Sequence, residues 1–422
     1  MKDIIWKLRS GADRRFKTGH PWVYSNELSE SPKGIEPGAA VELRDASGKF
    51  LARGYGNPAS LISFRALTRN PEEIEPFSPA SLTKRFQESA KLRHGLGLEK
   101  FSYRLCFAEA DQFPGLIIDR YVLKADKPSQ VFVIQAHTAG ADKHLPEIVQ
   151  ALESLSGDVW VNTGVVIKRD AGMRKLEGLT TEEPRAEREI KGVDLTDCKI
   201  VIRGTNDKPI EFTVDLIKGQ KTGFFLDQAD NVRLTVAKFQ PDFFGRKIKI
   251  LDLCCYVGQW STQLARRYRD AGIEVEVTAF DASAKALAST KKNVEAQGAE
   301  VITVQGDVLK DLTQFADKSF DLVISDPPAL IKGRKDIPKG THAYLQLNTE
   351  VFRIIKSGGV AVCCSCSSLM VEDEFLATLA KAAGRQSRRV SWVGRGAQAG
   401  DHPMLAEFPE GRYLKCFVGV CS

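Results

Sequence analysis

The stretch Ile248–Trp260, IKILDLCCYVGQW, is the part of this 422-residue chain that best predicts its fold. An apolar, β-branched run ends in an acidic residue, Asp252, and is followed by a turn of small residues that contains Gly258. The segment Ser261–Arg267 that follows is compatible with a helix. This order predicts a buried strand, a turn that lets the backbone approach a ligand closely, and a helix with exposed N–H groups at its start.

Further strand-like runs along the chain also end in polar or acidic residues. One ends at Asp281, about 30 residues after Asp252, as expected for the next β-α-β unit of a doubly wound sheet. Later runs end at Asp307, at Asp326 and in the segment Ser365–Ser368. Open α/β sheets bind ligands at the carboxyl ends of their strands. We therefore predict a ligand site there, with Asp281 placed to accept hydrogen bonds from both hydroxyls of a ribose.

Together these strand ends are typical of class I methyltransferases that use S-adenosylmethionine. A nicotinamide-dependent dehydrogenase is disfavoured, because the turn after Asp252 has a single glycine where G-x-G-x-x-G would need three. The predicted fold class is therefore α/β, with a Rossmann-like methyltransferase domain. The segment Gly219–Asp227 precedes the stretch Ile248–Trp260 in the chain, and its glycines and polar residues suit either a loop over the ligand or an ordinary helix N-cap.

Length and composition limit the remaining possibilities. A chain of 422 residues with 43% apolar content is expected to form two or three domains. Its apolar runs have strand length, and the start MKDIIWKLRS has no signal-peptide core, so we predict a cytoplasmic protein without membrane contact. Nine cysteines in a chain without a signal-peptide core fit a reducing compartment, and no metal site is predicted.

Three domains are predicted, with boundaries at residues 1–72, 73–188 and 189–422. The first is a small β domain whose initial stretch, up to His20-Pro21, is compatible with a helix. Residues 1–70 contain twelve Lys and Arg against seven Asp and Glu, which fits either a solvated basic surface or an RNA-binding face. The second is a compact α+β module. A Pro- and Glu-rich joint, Asn70–Pro79, and a charged stretch, Thr180–Lys191, mark the two boundaries.

Several ordered segments resemble one known family over essentially the whole chain. This is the RlmI-like family, the PUA-domain cytosine-C5 methyltransferases of bacterial 23S ribosomal RNA. The resemblance is carried by HPWVYSNEL near Pro21, AEADQFPGLIIDRY (Ala108–Tyr121), GQKTGFFLDQADN (Gly219–Asn231), LDLCCYVGQWS (Leu251–Ser261), SDPPAL (Ser325–Leu330) and SCSSLM (Ser365–Met370). It implies a small β-barrel domain of the PUA type, a small α+β middle domain and a Rossmann-like catalytic domain. It also implies S-adenosylmethionine as cofactor and 23S ribosomal RNA as partner, and it leaves open whether the protein is a homodimer.

The chemistry of cytosine C5 methylation identifies the candidate catalytic residues. Cytosine C5 is a poor nucleophile until a thiolate adds to C6, so the enzyme needs a cysteine at the cofactor edge of the sheet. Cys366 lies just past a strand end and matches the family's motif cysteine, whereas Cys363 and Cys364 lie inside the strand and are predicted to be buried. Asp326 in the Asp-Pro-Pro turn could hydrogen-bond the cytosine amino group or remove the C5 proton.

The remaining predicted site residues hold the cofactor. They come from the Gly219–Asp227 loop, from the turn after Asp252 and from two later strand ends: Gln220, Thr222, Asp227, Cys254, Tyr256, Gly258, Asp281 and Asp307. Two other functions stay open. An Asp-Pro-Pro turn also occurs in methyltransferases that act on the exocyclic amines of guanine or adenine, and an RNA-binding ribosome-assembly factor could retain the pocket without turnover.

Overall fold

The computed structural model describes residues 4–422, and they form two compact units. The first contains the chain up to Val201, together with Asp215–Phe224 and Gly400–Gly411. The second contains Ile202–Val214, Phe225–Ala399 and Arg412–Ser422. Within the described range, no helix is long and apolar enough to cross a membrane.

The first unit begins with a β-sheet in the strand order β1-β3-β4-β5-β2. Its elements are β1 (Ile4–Lys7), the short helix α1 (Arg14–Lys17), β2 (Trp22–Tyr24), β3 (Ala39–Arg44), β4 (Phe50–Gly56) and β5 (Ile62–Thr68). The predicted helix before His20 is thus reduced to α1. Trp6 and Leu8 are buried, whereas Ile5 and Lys7, which alternate with them, are exposed. This alternation makes the segment a strand that pairs in parallel with β3.

A second sheet in the same unit has the order β10-β9-β8-β7-β6. The elements of this region are α2 (Pro79–Gly95), β6 (Tyr103–Phe107), β7 (Leu116–Val122), β8 (Gln130–Ala136), α3 (Ala139–Lys143), α4 (Leu145–Ser156), β9 (Thr163–Arg169) and β10 (Glu182–Arg188). Strand β10 lies inside the charged stretch Thr180–Lys191. It has no apolar face, and antiparallel pairing with β9 makes it a strand. That pairing cannot be seen in the local sequence.

Buried ion pairs hold the region around β6 and β7. Arg93 donates to Asp111 (Nη1 to Oδ1, 2.6 Å) and Arg104 donates to Asp119 (Nε to Oδ1, 2.8 Å). All four side chains are buried. A buried carboxylate needs a paired cation to offset its lost hydration, so these acids are structural members of the core.

The second unit contains a seven-stranded sheet in the order β15-β14-β13-β16-β17-β19-β18. Two short paired strands and a helix precede it: β11 (Cys198–Arg203), β12 (Pro209–Val214) and α5 (Ala229–Lys238). The elements of the sheet region are β13 (Lys247–Leu253), α6 (Gln259–Arg269), β14 (Glu274–Asp281), α7 (Ala284–Glu295), β15 (Glu300–Gln305), β16 (Phe320–Ser325), α8 (Ile337–Ile354), β17 (Ile355–Ser365), α9 (Glu372–Arg385), β18 (Val390–Gly396) and β19 (Lys415–Cys421).

The position of β13 explains both its sequence and its role. Ile250 packs in a cluster with Leu264 of α6 on one face, and Leu251 packs with Tyr344 of α8 on the other. A strand buried on both faces reads as a continuous apolar run. β13 pairs in parallel with β14 on one side and β16 on the other. The strands that follow β13, namely β14 and β15, lie on one side of it, and the next strand, β16, lies on the other. The strand order therefore reverses between β13 and β16, and such a switch point is where doubly wound sheets bind ligands.

Candidate active site

The turn after β13 has an unusual backbone conformation. Cys254, Tyr256 and Gly258 all have positive φ values, of 60°, 51° and 78°. The turn is held by the Cys254 N–H, which donates to the Phe280 carbonyl (2.8 Å), and by the Tyr256 N–H, which donates to Asp281 Oδ2 (3.0 Å). Left-handed residues other than glycine persist only where the surroundings enforce them, and they concentrate at functional sites. The backbone thus forms the tight turn predicted from the sequence, and ligand binding by this turn stays a prediction.

Gly258 gives a first testable prediction. A Cβ there would lie 2.7 Å from Thr290 Cγ2 and 3.2 Å from Ser261 Oγ, in addition to the cost of the left-handed backbone. We expect Gly258→Ala to lower the free energy of unfolding by more than about 2 kcal/mol and to weaken S-adenosylmethionine binding at least about tenfold. Denaturant unfolding and calorimetric titration measure the two effects.

Gly272→Ala is the matched control for this prediction. Gly272 also has a positive φ of 80°, but a Cβ there would meet nothing within 4 Å. We expect this variant to lose only the backbone contribution, about 1 kcal/mol, and to bind the cofactor normally. Equal effects of the two substitutions would show that the close packing around Gly258 is unimportant.

Asp252 at the end of β13 is a buried acid that lacks full compensation. Its Oδ2 accepts a hydrogen bond from the Ser261 N–H (3.2 Å), but within residues 4–422 its Oδ1 has no hydrogen-bond partner. Burial raises the pKa of the Asp252 carboxyl to about 7. In the same part of the chain the buried Gln259 amide also has no partner. Unsatisfied buried polar atoms beside the turn fit a site that receives a polar, positively charged ligand.

The acids at the next two strand ends occupy different environments. Asp281 after β14 accepts hydrogen bonds from the Tyr256 and Ser283 N–H groups (3.0 and 2.8 Å). It is therefore fixed against the β13 turn, and each of its oxygens retains a further lone pair. Asp307 after β15 pairs with Lys310 (2.8 Å), whose hydrogen bond lowers the pKa of Asp307. Asp281 is thus fixed at the turn, while Asp307 lies in a more solvated position.

Asp326 after β16 is oriented by two donors that sequence reasoning missed. Gln228 Nε2 lies 2.9 Å from each Asp326 oxygen, and Trp260 Nε1 donates to Oδ2 (3.1 Å). Gln228 is itself held, because its Oε1 accepts from Asn231 Nδ2 (2.6 Å). Trp260 belongs to the stretch that predicts the fold, yet nothing in its local sequence indicates a contact with Asp326. These bonds fix the carboxylate at the switch point of the sheet.

Asp227 is a buried acid with a partner far along the chain. Its Oδ2 accepts a hydrogen bond from the Tyr413 hydroxyl (2.6 Å), and its carbonyl accepts from the Ala399 N–H (2.9 Å). The segment before it belongs to the first unit. There Thr222 is buried, and its hydroxyl donates to Asp119 Oδ2 (2.5 Å), while Gln220 is exposed. Cofactor binding by Gln220 and Thr222 stays a prediction.

The loop after β17 presents Cys366. Cys363 and Cys364 are fully buried in the strand, whereas Cys366 is partly exposed. The Cys366 Sγ–H group donates to the Pro327 carbonyl (3.7 Å), so the cysteine lies against the Asp-Pro-Pro turn. The adjacent Ser367 hydroxyl accepts from the Ile331 N–H (3.1 Å). The structure thus brings Cys366 and the turn that contains Asp326 together, and it buries the two cysteines expected to be structural.

Comparisons with known proteins agree with this architecture. Residues 7–69 match the family model of a PUA-like domain, and residues 250–359 match that of a methyltransferase domain. The solved structure of the methyltransferase SMU.776 with SAH covers 100% of both chains, with a TM-score of 0.73 and 19% identity. A SAM-dependent methyltransferase from Streptococcus mutans has a TM-score of 0.72 at 18% identity, over 99% of this chain and 100% of that one.

Two curated relatives match over nearly the full length. Both are named ribosomal RNA large subunit methyltransferase I. The protein from Cronobacter sakazakii is 30% identical over 419 residues, covering 97% of each chain. The protein from Shewanella denitrificans is 32% identical over 420 residues, covering 98% of each chain.

The strand order of the sheet and the two family models that the chain matches define a Rossmann-like methyltransferase with an N-terminal PUA-like domain. This confirms the fold class predicted from the sequence. The sequence identity to the two curated relatives, which extends over nearly the full length of each chain, is more specific. It shows that the chain belongs to the ribosomal RNA large subunit methyltransferase I family.

Proposed function

We propose that this protein uses S-adenosylmethionine to form 5-methylcytidine in 23S ribosomal RNA, through a covalent bond between Cys366 and cytosine C6. The observation that carries this proposal is the contact between Cys366 Sγ and the Pro327 carbonyl. It brings a partly exposed thiol to the turn that holds an oriented carboxylate, Asp326. An enzyme that methylates amines has no need of a nucleophilic cysteine at that position.

The cofactor assignment rests on the chain's own residues and on a structural relative. The SMU.776 protein was solved with SAH, the product form of S-adenosylmethionine. In this chain the strained turn Cys254–Gly258 would line the methionine end of the cofactor, and the fixed carboxylate of Asp281 would accept hydrogen bonds from the ribose hydroxyls. Asp252, buried and incompletely paired, would favour the cofactor's positive charge. When bound, S-adenosylmethionine supplies an electrophilic methyl group.

The protein's residues carry out the other steps of C5 methylation. The Cys366 thiolate adds to cytosine C6, which places electron density on C5 so that C5 can accept the methyl group. A base then removes the C5 proton, and the electron pair left behind re-forms the C5–C6 double bond and expels the thiolate. We assign Asp326 to the cytosine contact, because a carboxylate held by Trp260 and Gln228 is a preorganised acceptor for the cytosine amino group.

An RNA substrate is supported by charge close to the proposed nucleophile. Four exposed cations follow the Asp-Pro-Pro turn in one short segment: Lys332, Arg334, Lys335 and Lys339. The segment is attached to the loop of Cys366 by the bond between the Ile331 N–H and Ser367 Oγ. Such a loop suits the phosphates that flank a base drawn out of its stack. The names of the curated relatives specify large-subunit ribosomal RNA as their substrate.

The proposal is tested by identifying the methylated nucleoside. The purified chain is incubated with labelled S-adenosylmethionine and unmodified 23S ribosomal RNA, and the digested RNA is analysed by mass. We expect labelled 5-methylcytidine. Labelled methylguanosine or methyladenosine would overturn the cysteine mechanism in favour of amine methylation. Cofactor binding without product, on both naked RNA and an assembling large subunit, would favour a non-catalytic assembly factor.

A further inference from the structure

Lys415 at the start of β19 is a lysine whose charge is enclosed by the protein. It is 8% exposed, and its Nζ donates to the carbonyl groups of Ser367 (2.6 Å) and Tyr413 (2.9 Å). Both partners are neutral. Burial lowers the pKa of Lys415 to about 8. The negative charge of an ionised Cys366 and, to a smaller extent, that of Glu372 oppose this decrease. A lysine kept inside a protein with neutral partners is costly, which points to a role for its charge.

The position of Lys415 is set by both neighbours of Cys366. In the antiparallel pairing of β17 with β19, Lys415 lies opposite Ser365. Its ammonium group donates to the carbonyl of Ser367, the residue after Cys366. Lys415 therefore adjoins the residues immediately before and after Cys366. This geometry holds the cysteine loop and places a positive charge beside its backbone.

We propose that Lys415 is the positioning residue that holds the Cys366 loop and stabilises the Cys366 thiolate. This inference rests on the proposed function, in which Cys366 is the nucleophile. Ionisation breaks the S–H bond, the proton passes to solvent, and the ammonium group of Lys415 stays protonated beside the sulfur. A nearby opposite charge favours the ionised form of a thiol.

Other titratable groups face the same loop. Asp326 adjoins Pro327, whose carbonyl accepts from Cys366, and Glu372 at the start of α9 interacts with Lys415. Both carry negative charge and disfavour the thiolate. Tyr344 of α8 bonds to the Ser367 hydroxyl (2.9 Å), and its pKa is raised, chiefly by burial, so it stays neutral. Lys415 opposes the two acids.

The test measures the reactivity of the Cys366 thiol directly. The full-length protein without cofactor reacts with iodoacetamide over a range of pH, and mass spectrometry follows the peptide that contains Cys366. In the unsubstituted chain we expect a midpoint below about 8.5, the ordinary thiol value. Lys415→Gln keeps an N–H donor but removes the charge, so the midpoint should rise by about one pH unit and the rate at pH 7 should fall about tenfold. Lys415→Arg should keep the low midpoint.

Two controls make the outcome decisive. Lys356→Gln removes a partly exposed lysine at the other end of β17, paired with Asp321 (2.7 Å), and should leave the midpoint unchanged. Binding of S-adenosylhomocysteine reports whether each variant is folded. A folded Lys415→Gln variant with the original midpoint would overturn the proposal, as would a Lys415→Arg variant with the raised midpoint. A failure of the proposed function is seen separately, as methylation that persists without Cys366.

Discussion

Cys366→Ala is expected to reduce methyl transfer to ribosomal RNA by about 10⁴-fold or more and to leave the affinity for S-adenosylmethionine within a few-fold. The reason is that the substitution removes the group that makes cytosine C5 nucleophilic. The thiol is partly exposed and contacts the Pro327 carbonyl, so alanine creates no large cavity. Single-turnover methylation with labelled cofactor measures the first quantity, and calorimetric titration measures the second.

A second cysteine serves as the control for this prediction. Cys198 of β11 is a buried thiol in another part of the fold, and Cys198→Ala should retain methylation close to that of the unsubstituted protein. If Cys366→Ala keeps its activity, a covalent cysteine mechanism is wrong, and amine methylation centred on Asp326 becomes the better assignment. If both variants lose activity together, a general effect of cysteine loss on the fold is responsible.

Asp326→Asn is expected to lower kcat/KM by about 10²- to 10⁴-fold while cofactor affinity stays nearly unchanged. Asparagine has the same shape but lacks the charge, and it offers the cytosine amino group one carbonyl oxygen. Its own NH₂ group would also face the donors Gln228 and Trp260. Steady-state kinetics on ribosomal RNA measure the loss. A kcat/KM that changes less than about threefold would remove Asp326 from the catalytic contacts.

The orienting role of Trp260 can be separated from its packing role. Trp260→Phe removes the 3.1 Å hydrogen bond to Asp326 and should reduce kcat/KM about tenfold, the magnitude expected for one hydrogen bond to a charged group. In an Asp326→Asn background the same substitution should have a much smaller effect, since its target is already lost. Fully additive losses in the double variant would contradict the orienting role.

Local sequence determined the strands and turns that form the sheet edge. The apolar run of β13, the residues Asp281 and Asp326 at later strand ends, and the burial of Cys363 and Cys364 in contrast to Cys366 all followed from patterns within one strand and its turn. These features depend on neighbours a few residues away, and hydrophobic periodicity records them. The same reasoning failed before His20, where pairing between β1 and β3 made a strand from a helix-compatible segment.

The groups that orient the site residues come together only through long-range packing. Gln228 reaches Asp326 across 98 residues of sequence, Trp260 reaches it across 66, and Tyr413 reaches Asp227 across 186. Lys415 is attached to the loop of Cys366 because β19 returns antiparallel beside β17. A side-chain hydrogen bond needs two atoms within about 3 Å, and local periodicity cannot bring such distant residues together. Local sequence patterns therefore reveal which reactive groups the chain carries, whereas the packing of the sheet sets how each group is oriented.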